Sequence, residues 1–135
     1  MKSIQLALLP LLCTIATSSQ AEILCTTAKN TQEEAQCMAT EVSKADKKLG
    51  TYLQAAKSRI GKTPDVKLNL DTAQKVWEQY RAAHCGDVYT YWAQGSVRYR
   101  QSAQCQLDLT QSRTHDVWQA YLTYADSTPP VLPRP

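Results

Sequence analysis

Cys85 stands ten residues before Gly95, and Cys105 stands ten residues after it. If two antiparallel helices turn at that glycine, the two positions come level. A disulfide between them then needs only Cα atoms within about 7 Å. This spacing limits the folds open to the chain, provided that the cysteines lie in an oxidising compartment and that the flanking segments are helical.

The first condition is read from the opening stretch "MKSIQLALLPLLCTIATSSQAEILC". Lys2 gives a short positive start. Ile4 to Ala16 is mostly apolar but too short for a comfortable membrane span. Ser19-Gln20-Ala21 has the small-x-small form of a signal-peptidase site. Residues 1–21 are therefore expected to be a cleaved export signal, with the protein periplasmic or secreted. A lipoprotein signal ending at Cys13 is the rival, disfavoured by the large Leu12 before the cysteine. The mature chain, residues 22–135, would be one small domain. It would keep four cysteines, Cys25, Cys37, Cys85 and Cys105, an even number that in a small exported chain reads as two disulfides. Of the formal charge of +3, Lys2 accounts for one. The remaining +2 is close to balance and argues against a nucleic-acid or membrane-surface binder. No later apolar run suggests membrane insertion after cleavage.

The second condition is read from hydrophobic periodicity. Ala35, Met38, Val42, Ala45, Leu49, Tyr52 and Ala56 recur at alternating spacings of three and four, which places one stripe on one helix face. Thr31 and Glu34 form a capping box, so the first helix is expected over Thr31–Ile60. Gly50 within it costs about 1 kcal/mol relative to Ala. Residues 61–69 form a loop broken by Gly61 and Pro64. A second stripe, Leu70, Ala73, Trp77, Tyr80, His84, Val88 and Tyr91, predicts a helix from Leu70 or Asp71 to about Gln94. Gly95 then caps its end and Ser96 opens the next helix. The third stripe, Ala103, Leu107, Thr110, Thr114, Val117, Tyr121 and Tyr124, predicts a helix over about Val97–Ala125. Four prolines in the last seven residues mark 127–135 as an extended, disordered tail. The expected fold is all-α, an antiparallel three-helix bundle or a helical hairpin plus a helix, with its domain over residues 22–126 and stapled by two disulfides.

Cys85–Cys105 and Cys25–Cys37 is the pairing that the hairpin favours, although four cysteines allow three pairings and crossed connections stay open. A catalytic thiol at Cys85 with His84 as base would need a free thiolate, and neighbouring helix residues point about 100° apart. The cysteine spacings lack the short C-x₂₋₄-C pair of a zinc site. No metal, cofactor or catalytic constellation is expected, and the chain does not read as an enzyme. His84 is expected as a packed core residue and His115 as exposed. Trp77 and Tyr80 read as core aromatics. Arg81 and Arg113 flank the stripes and read as structural, their stems buried and their heads paired with a carboxylate on a neighbouring helix. Asp46 is the candidate partner.

The segments "TQEEAQC", "ADKKLGTY", "AQKVWEQYRAAHC", "GS" and "CQLDLTQSR" together resemble the LprI-like lysozyme-inhibitor family of exported bacterial proteins. The family pattern is matched by Thr31, Gln32 and Cys37, then by Ala45, Asp46, Leu49 and Tyr52. It continues through Gln74, Trp77, Tyr80, Arg81 and Cys85, and ends with Gly95, Ser96, Cys105, Leu109, Thr110 and Arg113. The likeness spans about residues 25–115. Gly50 stands where the family usually has Asn, and Ala82 where it usually has Asp. The resemblance implies an all-α, disulfide-bonded domain and a lysozyme or another peptidoglycan hydrolase as partner. The matched residues are framework and do not mark an inhibitory surface. That surface is sought at the second turn, in Asp87, Tyr91, Trp92, Ser96, Arg98 and Tyr99. Tyr, Trp and Arg are the side chains most often found as binding hot spots, and a tight hairpin is a convex wedge suited to a cleft. The same aromatics could instead cap the bundle. An immunity or partner-binding module for another envelope protein is the alternative function.

Overall fold

A computed structural model of the chain describes residues 25–135. The export signal proposed for residues 1–21 lies outside them. Three helices follow in order, α1 (Thr31–Ile60), α2 (Leu70–Tyr91) and α3 (Val97–Tyr121). α2 runs antiparallel to the other two. α3 is the central element and packs along both α1 and α2.

The termini show why the helices start and stop there. α1 spans the expected Thr31–Ile60, but its cap lies one residue before the expected capping box. Asn30 is the N-cap, and its Oδ1 accepts hydrogen bonds from the backbone N–H groups of Gln32 and Glu33. The Glu33 carboxylate reaches back to the N–H of Lys29, so Asn30 and Glu33 take the roles expected of Thr31 and Glu34. Asn69 caps α2 by accepting from the N–H of Thr72 at 3.0 Å. α2 ends at Tyr91, short of the expected Gln94, because the N–H of Ala93 turns to the carbonyl of Thr90. Gly95 takes a φ of +96°, which L side chains rarely adopt. Ser96 occupies the N-cap position of α3 but makes no side-chain capping bond, contrary to its expected role.

Along its axis the bundle changes character. At one end Leu49, Tyr52, Leu53, Ala56, Leu70, Val117 and Leu122 form an apolar core, with Trp77, Trp118, Tyr121 and Leu132 packed around it. α3 stops at Tyr121, not Ala125, and its open carbonyls are met by α1. The Nη1 of Arg59 donates to the carbonyls of Tyr121 and Thr123 at 2.8 and 2.7 Å, a cation placed at the negative end of a helix.

The proline-rich tail is extended, as its composition dictates, but it is also anchored. The N–H of Val131 donates to the carbonyl of Leu122. The indole of Trp118 and the hydroxyl of Tyr52 donate to the carbonyls of Leu132 and Pro133. Leu132 meanwhile packs on the core. The disorder expected from the prolines is replaced by docking, because buried aromatic donors meet carbonyls that proline leaves free.

A polar layer crosses the middle of the bundle. Arg81 on α2 donates to Asp46 on α1 and to the hydroxyl of Thr110 on α3, with its guanidinium 5.0 Å from the Trp77 ring. Arg113 donates to Gln74 at 3.2 Å, and Gln74 donates on to Glu78. Arg81 therefore takes the expected carboxylate, whereas Arg113 pairs with a neutral amide. The buried threonines that thin the α3 stripe are satisfied locally. Thr110 donates to Gln106 and Thr114 to Thr110, each one turn back.

The second stripe is rotated from its expected position. The buried residues of α2 are Leu70, Gln74 and Cys85. Tyr80 is 54% exposed and stacks face to face on an exposed His84, with ring centroids 5.6 Å apart. Neither is a core residue. The bridge explains the rotation. Cys85 must face α3 to reach Cys105, which turns His84 outward by about 100° and brings Arg81, one turn back, into the interface. His115 is partly covered by Trp118 rather than fully exposed.

Candidate functional site

The other end of the bundle holds both disulfides and the α2–α3 turn. Cys85 and Cys105 are bridged with Cα atoms 5.7 Å apart, and Cys25 and Cys37 with Cα atoms 5.9 Å apart. Crossed pairing is excluded. The hydroxyl of Ser102 also donates to the carbonyl of Cys85 at 3.0 Å, so α2 and α3 are tied twice at one level. Arg100 joins Glu34 across α3 and α1 at 2.8 Å. The Cys25–Cys37 bridge fixes the segment before α1 onto its first turns.

Beyond these ties the turn projects aromatic side chains. Tyr91 is 84% exposed and Trp92 42% exposed, and their rings meet edge to face at 5.7 Å. Asp87 and Ser96 are exposed. On the other side of the turn, Tyr99, 51% exposed, meets Tyr89 edge to face at 5.4 Å. The half-buried Arg98 guanidinium lies 5.0 Å from the Tyr89 ring and 5.3 Å from the Tyr99 ring. The hydrogen bond from Tyr89 to Tyr99 raises the pKa of Tyr89 above its ordinary value. The same bond, reinforced by Arg98, lowers that of Tyr99. A groove of about 400 Å³ runs from these two tyrosines between α1 and α3, floored by the small residues Ala35, Ala39 and Ala103.

The six turn residues proposed from the sequence therefore divide. Tyr91 and Trp92 form one exposed pair. Arg98 and Tyr99 form a second cluster with Tyr89, which the sequence reading left out. Tyr89 lies one turn after Cys85, on the helix face that the bridge points inward, and that spacing could have identified it. Among the described residues no three His, Cys, Asp or Glu side chains gather to hold a metal ion, and no helix is long and apolar enough to cross a membrane.

The packing defines an all-α bundle clamped at one end by two disulfides. The family model described as "Lysozyme inhibitor LprI" matches residues 25–117. The chain belongs to that family, which is one of lysozyme inhibitors and not of enzymes. No curated protein and no solved structure matches it.

Proposed function

We propose that the protein is an exported inhibitor of lysozyme-type peptidoglycan hydrolases, acting in the periplasm or outside the cell by occluding the substrate cleft. Family membership carries the reading. The turn supports the mechanism, because it is exposed, rich in Tyr, Trp and Arg, and held by a disulfide. A preorganised projection loses little conformational entropy when it docks, and its aromatics are of the kind that dominate binding energy. Two disulfides in so small a domain fit an oxidising compartment. The near-balanced charge gives no overall attraction to a basic enzyme, so affinity must come from local fit.

The test is clearance of a peptidoglycan suspension by lysozyme with and without the purified chain. Stoichiometric inhibition by the oxidised protein is expected. Unimpaired clearance by a panel of lysozymes, each at saturating concentrations of the protein, contradicts the reading and favours a partner-binding module for another envelope protein.

A further inference from the structure

Where each arginine is held singles out one of them. Arg59 is held by the carbonyls that end α3, Arg81 by Asp46, Arg100 by Glu34 and Arg113 by Gln74. Arg134 lies over Trp118, at the end of α3 away from the turn. Arg98 stands at the turn itself. Among the described residues no ion pair includes it, and its Nε is buried without a hydrogen-bond acceptor. Two tyrosine rings hold its guanidinium in place. From Val88 to Leu107 the sequence contains two arginines and no acidic residue, and Glu34 neutralises Arg100. The turn therefore presents a single positioned cation that no carboxylate of the described residues neutralises.

A glycoside hydrolase carries a complementary feature. Its cleft holds two carboxyl groups, about 5–5.5 Å apart in retaining enzymes. A planar guanidinium donates to carboxylates in a fixed fork. Even a hydrolase whose surface is basic overall is acidic at this point. An inhibitor without an acidic face can therefore still match it by charge, with a cation on its wedge.

Resting on the inhibitor reading, we infer that Arg98, positioned by Tyr89 and Tyr99, is the specificity-determining residue of the turn and enters the carboxylate pair of the hydrolase cleft. Tyr89 and Tyr99 act as positioning residues. They hold the cation in one orientation and keep water from its buried edge. The adjoining groove floored by Ala35, Ala39 and Ala103 would lie along the rim of the contact.

The experiment measures dissociation constants between the full oxidised chain and a retaining lysozyme, and between the chain and lysozyme variants with either cleft carboxylate changed to its amide. Arg98→Gln is expected to weaken binding to the unmodified enzyme by about 30-fold or more, the loss typical of removing one partner of a buried charged pair. Arg98→Lys, which keeps the charge but loses the fork, should fall between the two. Against the amidated lysozymes, wild-type protein should bind more weakly and Arg98→Gln should cost little more. Melting temperature and circular dichroism of each variant report folding. The lysozyme-side substitutions test the same contact with an unaltered inhibitor. Equal binding of wild type to native and amidated lysozyme overturns the inference, as does an Arg98→Gln loss that is the same against both. If the wild-type chain binds no lysozyme, the inhibitor reading fails first and the inference fails with it.

Discussion

The two ends of this bundle are held together by different physics. At the end where α1 and α3 finish, apolar side chains exclude water, and the docked tail and Arg59 close over the open carbonyls. At the end where α2 turns into α3, the buried set is thin. Two covalent bridges, the Ser102 bond and the Arg100–Glu34 pair do the work that packing does elsewhere. The difference teaches how a small domain can keep a surface free for a partner. Side chains that would otherwise be drawn into a core remain exposed at the clamped end, because crosslinks constrain the chain without using apolar area. The polar layer of Asp46, Arg81, Thr110, Gln74 and Arg113 separates the two regimes.

The comparison predicts that damage to the packed end changes stability and leaves binding intact. Leu122→Ala, at a fully buried site, should cost about 2–5 kcal/mol through lost transfer energy and the cavity left behind. Denaturant melts would show it, with inhibition unchanged at temperatures where the variant is folded. A combined Cys85→Ser, Cys105→Ser variant attacks the other end. Opening a loop of 20 residues should cost about 2–4 kcal/mol, and hydrolase binding should weaken further than that of Leu122→Ala under conditions where both are folded. If the two variants lose binding in equal measure, the division between the ends is not functional.

Removal of residues 129–135 is expected to cost about 1–3 kcal/mol. It breaks three hydrogen bonds, each worth about 1 kcal/mol net, and uncovers Leu122, while restoring the entropy of the tail. A truncated chain as stable as the full one would show that the tail rests on the bundle without closing it. The smallest expected change is a gain. Gly50 lies inside α1 with nothing within 4 Å of an added Cβ, so Gly50→Ala should stabilise by about 0.5–1 kcal/mol and leave binding untouched.

Much of the packed end was legible in the sequence. The 3–4 spacing of α1 gave its length and face, since Met38, Ala45, Leu49, Tyr52 and Ala56 are all buried. The symmetric placement of Cys85 and Cys105 about Gly95 gave the hairpin and the bridge. The rotation of α2 was misread because Tyr80 and His84 look more apolar than Gln74 and Arg81. The buried face is set by the disulfide and the polar layer, not by hydrophobicity. The docked tail was hidden for a related reason. Composition reports the flexibility of a free proline-rich chain, not the donors of Tyr52 and Trp118 waiting for its carbonyls. At the turn, the sequence identified the exposed aromatics but not the Tyr89–Arg98–Tyr99 cluster, whose members come from α2 and α3 and meet only once the two helices pack.

The central claim is that the clamped turn is the face that meets the hydrolase. Tyr91 and Trp92 test it most directly, since they meet edge to face where α2 enters the turn, are exposed and lie outside the apolar core. The measurement is the inhibition constant of Tyr91→Ala, Trp92→Ala in the clearance assay, beside its melting temperature. The account predicts inhibition weakened by at least about tenfold, the scale of losing a hot-spot aromatic, with an unchanged melt. A folded double variant that inhibits as well as wild type would contradict it and move the binding face elsewhere on the bundle.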